Sequence, residues 1–61
     1  MTRKYIESIA KRLRACRPDA AYDPMHNAGW ETACNAVADA IAAHNKAFDR
    51  ARFLTDCGVT P

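Results

Sequence analysis

Trp30, Ala33, Cys34, Val37, Ala38 and Ile41 stand three and four residues apart, while Glu31, Thr32, Asn35 and Asp39 lie between them. This spacing is one apolar stripe along an α-helix, because residues three and four apart share a helix face whereas a half-buried strand alternates. The stripe limits the fold class at once. A chain of 61 residues has room for a single core and buries only about 60% of the surface of its unfolded form. A helix this long must bury its stripe against other helices of the same small domain.

Although 49% of the residues are hydrophobic, alanine makes up much of that share. The larger core formers are Ile6, Ile9, Leu13, Trp30, Val37, Ile41, Phe48, Phe53 and Leu54, enough for one helical core. At this size a core seldom leaves more than about 3 to 5 kcal/mol of stability, so function is expected on a surface.

Before the stripe, Ile6, Ile9, Leu13 and Cys16 predict a first amphipathic helix with Thr2 as its N-cap. Lys4, Glu7, Lys11 and Arg14 form its polar face, with Glu7 and Lys11 as an i,i+4 pair. Arg17-Pro18 closes it, since a residue preceding proline is pushed out of the helical region. Residues 18–27 then predict a loop that includes His26. The second helix starts either at Pro24, capped by Asp23, or at Ala28, capped by Asn27, and runs to His44. Trp30 fits either a core plug or an exposed anchor.

The ending, FDRARFLTDCGV, encodes both ends of a third helix. Asp49 is its N-cap, Phe48 and Phe53 are spaced as a hydrophobic staple, and Gly58 supplies a left-handed stop that lets Val59 reach Leu54. The expected fold is therefore all-α: one three-helix domain over residues 1–61, with helices at about 3–16, 24 or 28 to 44, and 50–57. Arg50 and Arg52 fall at an N-terminus, where the helix dipole disfavours cations. Either acids such as Asp49, Asp39 or Glu31 hold them, or a partner does.

Charge is distributed unevenly along the chain. Residues 1–17 hold six Lys/Arg and one acid, and residues 18–45 hold Asp19, Asp23, Glu31 and Asp39 with no Lys or Arg. Lys4, Lys11 and Arg14, supplemented by Arg50 and Arg52, are the candidate partner-binding residues, and nucleic acid is one candidate partner. No aromatic side chain is interleaved among them for base stacking.

Catalysis is not expected. Cys16, His26, Cys34, His44 and Cys57 lack the two-to-four spacing of a structural zinc site. Ser8 has no acid or histidine three or four residues away, and two glycines cannot make a phosphate loop. No metal or cofactor is expected either. Three cysteines with no leader or membrane-spanning run predict free, mostly buried thiols in a cytosolic protein.

The stretches MTRKYIESIAKRLRA, WETACNAVADAIAAHN and FDRARFLTDCGV resemble a group of small bacteriophage and prophage proteins. Their shared features are an M-T-R-K opening, a tryptophan-led alanine-rich helix and an F-D-x-x-R-F-L-x-x-C-G ending. The resemblance implies a helical accessory protein of the host bacterial cytosol that binds a host machine or a defence complex such as a CRISPR effector. It implies no catalytic residue. Oligomeric state stays open, with a small homo-oligomer packed through the alanine-rich helix as another expectation.

Overall fold

The computed structural model describes residues 2–19 and 22–59. Three helices follow one another: α1 (Arg3–Ala15), α2 (Pro24–His44) and α3 (Arg50–Cys57). Among the described residues there is no strand, as the periodicities require. Residues 20–21, in the middle of the expected loop, lie outside the described residues.

Side chains at the helix ends choose the boundaries. The Thr2 hydroxyl accepts from the Tyr5 N–H and opens α1. Of the two possible starts for α2 the chain uses the earlier one: Asp23 accepts from the His26 N–H and Pro24 occupies the first turn. His26 is therefore helical, not a loop residue as expected, and its ring bonds the second oxygen of Asp23. Asp49 caps α3 through the Arg52 N–H at 3.0 Å. At the other end Gly58 sits at φ 94°, and Val59 N–H reaches back to the Leu54 carbonyl at 2.9 Å. These bonds make the predicted Schellman ending.

Helix α3 is the hub on which both longer helices pack, and α1 and α2 meet directly at few points. Arg3 and Ile6 stand beside Phe48 and Asp49, whereas Arg14 and Arg17 stand beside Gly58. Helices α1 and α3 thus run in the same direction. The core comprises Ala10, Trp30, Cys34, Ala38, Ile41, Phe53 and Cys57, with Ile6, Ile9, Leu13, Val37, Phe48, Leu54 and Val59 packed around it. Phe48 and Phe53 close the staple edge to face at 5.4 Å between centroids.

Trp30 is a core residue. Its Nε1 donates to the Leu13 carbonyl at 2.8 Å, a second bond to an oxygen that also accepts from the Cys16 N–H at the end of α1. The Arg17 guanidinium lies 5.8 Å from the ring centroid, within cation–π range. Two residues of the expected apolar stripes turn out exposed: Ala33 on α2 and Cys16 at the end of α1. Both sit at the margin of their stripe, and α1 and α2 are not close enough to each other to cover them.

Cys34 and Cys57 behave as expected, fully buried and hydrogen-bonded to each other across the α2–α3 seam. Burial pushes the Cys57 thiol up to about 11, with Cys34 adding to the shift. Both thiols are protonated and unreactive at neutral pH.

Candidate functional site

The five sequence-predicted binding residues fall in three separate places. Arg50 belongs to the α2–α3 seam. Its Nε donates to Asp39 at 2.9 Å and its Nη2 to Asn35 at 2.7 Å. The two bonds draw the guanidinium onto α2 and offset the unfavourable position of a cation at the start of α3. Asp39 was one of the acids expected to hold it.

Arg52 has a different position. Among the described residues it is held only by Asp56 one turn later, at 3.9 Å, in an exposed pair. Such a contact contributes a few tenths of a kcal/mol, about 0.3 to 0.5. Arg52 lies on the rim of a groove of about 410 Å³ between α1 and α3. The floor consists of Ile6, Ala10, Phe48 and Phe53, and Arg3, Glu7, Asp49 and Asp56 complete the rim. On the facing wall Arg3 is paired with Glu7 at 3.3 Å, again exposed and again one turn apart. This pairing replaces the expected Glu7–Lys11 contact. Glu7 reaches the cation on the groove side instead of the one on the solvent side.

Lys4, Lys11 and Arg14 are not in the groove. They lie along the solvent face of α1, all exposed, with Arg12 at its margin. No ion pair involves any of these four cations among the described residues. Tyr5 stands on the same margin as Arg12 and is 65% exposed, so an aromatic ring does accompany the basic face.

The groove escaped the sequence reading because its walls come from residues some forty positions apart, Arg3 to Ala10 and Asn45 to Asp56. One signal was available. Phe48 and Phe53 were assigned to a staple, and a staple on so short a helix leaves part of both rings facing whatever packs alongside.

Among the described residues no group of three His, Cys, Asp or Glu could hold a metal ion. No described helix is long and apolar enough to cross a membrane. The groove combines an aromatic and aliphatic floor with two rim arginines, each held by one exposed carboxylate of its own helix among the described residues. The chain matches no family model, no curated protein and no solved structure. The resemblance to small phage proteins therefore rests on its own motif residues.

Proposed function

We propose that this protein is a non-catalytic binding module of the phage-encoded kind, which docks on a larger host protein or defence complex and inhibits or redirects it. The α1–α3 groove carries the reading. It presents about 410 Å³ of space, within the range of about 300 to 1,000 Å³ typical of ligand sites, on a domain with no room for a deep pocket. Its floor takes an apolar side chain of the partner. Arg3 and Arg52, each held by only one exposed carboxylate, take an acidic residue next to that side chain. Arginine and buried aromatic contacts of this kind dominate the energetics of protein interfaces.

The test is capture of the tagged protein from nuclease-treated bacterial lysate, with the Arg3→Glu/Arg52→Glu variant run alongside. The expected result is a discrete host complex that the wild type retains and the variant loses. A complex retained equally by both would remove the groove from the reading, and no discrete protein in either would remove the reading itself.

A further inference from the structure

Helix α1 carries a second recognition surface, adjoining the groove. Lys4, Lys11, Arg12 and Arg14 are exposed and have no carboxylate partner among the described residues, where Arg3–Glu7 is the one ion pair on the helix. The remainder of the chain has the opposite balance, with six acids and three bases over residues 18–59. The molecule is thus an electric dipole whose positive end is one helix face. Such a field orients the protein toward a polyanion before contact.

The face is polar as well as positive. Ser8 and Ala15 lie between the cations, Tyr5 stands at the margin beside Arg12, and Glu7, the one acid on the face, lies between Lys11 and Arg14 and is paired with Arg3. An interface for an acidic protein would place apolar side chains at its centre, whereas nucleic-acid interfaces are more polar and much more positive. The spacing agrees. From Lys4 to Arg14 the helix rises about 15 Å, and one strand of a duplex lays down about four phosphates over that length.

We infer that the solvent face of α1 binds the phosphate backbone of nucleic acid, without sequence preference, through Lys4, Lys11, Arg12 and Arg14. Lys4, Lys11, Arg12 and Arg14 do not line the groove, and Glu7 stands where the two surfaces adjoin. Tyr5 adds a ring on which an unpaired base stacks, so single strands gain a contact that duplexes do not.

The experiment is fluorescence anisotropy of the full chain with a labelled short duplex DNA and with oligothymidylate, over a range of salt concentrations. Four contacts predict a log-log salt slope of about −3.6 on duplex, a loss of about 150-fold between 50 and 200 mM salt. On the single strand the slope is about −2.8, and Tyr5→Ala weakens that binding about tenfold while sparing the duplex. The variant Lys4→Gln/Lys11→Gln/Arg14→Gln, with helical content checked by circular dichroism, lowers the duplex slope to about −0.9. Lys46→Gln removes the same kind of charge elsewhere and leaves the slope in place. The inference is overturned by an absence of binding at low salt or by a slope unchanged in the triple variant. Displacement of the DNA by polyglutamate at equal charge would overturn it too, by assigning the face to an acidic protein.

Discussion

Helix α3 has eight residues and α1 has thirteen, yet the shorter helix is the more tightly specified. Asp49 and Gly58 close its two ends, Phe53 and Cys57 are buried on its inner side, and Arg50 is bonded to two residues of α2. Helix α1 has a hydroxyl cap at one end and a single fully buried residue, Ala10. Its cations face solvent. Two turns of helix are too few to be stable alone, so α3 depends on its caps and tertiary contacts, and what it presents outward is the groove side with Arg52. A longer helix lying on the hub needs only its inner stripe, and its outer face is available for recognition.

The sharpest way to break this contrast is Phe53→Ala. Phe53 is 2% exposed and supports core, staple and groove floor together. Its truncation should cost about 3 kcal/mol or more, most of the stability of so small a domain, and abolish the cooperative thermal transition. A folded variant of near wild-type midpoint would show that α3 is not the hub.

Next in size is a pH effect at the α2–α3 seam. Unfolded, the Cys57 thiol loses its proton near 9.0, whereas folded it keeps the proton to about 11. The unfolded state therefore binds fewer protons between these values, and stability falls as pH rises through that window. The contribution of Cys57 is constant below pH 9. The fall should be of order 2 kcal/mol, measured by denaturant midpoints, and the Cys57→Ala variant should lack that part of it.

Gly58→Ala should cost about 1 to 2 kcal/mol. The cause is the backbone angle of 94°, because the nearest atoms to an added Cβ belong to the flexible side chains of Arg17 and Arg14 at 3.4 to 3.8 Å. A neutral outcome in urea melts would mean that the stop at the end of α3 does not need a left-handed residue.

The smallest effects separate the two arginines. Arg50→Ala loses two hydrogen bonds to α2 and should cost about 1 kcal/mol, whereas Arg52→Ala should cost no more than about 0.5. In capture experiments the order should reverse, with Arg52→Ala weakening partner retention and Arg50→Ala leaving it unchanged. Equal effects in both assays would erase the distinction between a seam arginine and a groove arginine.

Much of the fold was legible because its signals are local. Asp49, Phe48, Phe53 and Gly58 act within twelve residues, so cap, staple and stop follow from spacing alone. The start of α2 needed a choice between Asp23 and Asn27, two competent caps four residues apart. The outcome at Asp23 brings His26 into the helix. Ion pairing was less legible. Glu7 has Arg3 and Lys11 at equal distances along α1, and only the packed helix shows that it turns to Arg3.

By itself, the sequence determined three helices, the ends of the first and third, the burial of Cys34, Cys57 and Phe53, and a chain whose basic residues concentrate in its first helix. These depend on periodicity and short-range hydrogen bonds, which the order of residues states directly. Tertiary structure alone decided which arginine is bonded across to α2 and which is paired only within α3 among the described residues, that Trp30 is core, and that α1 and α3 enclose a groove. Each of these depends on how helices distant in sequence lie against one another. Two arginines with one residue between them point to different sides of α3, and the helix on each side gives them different roles.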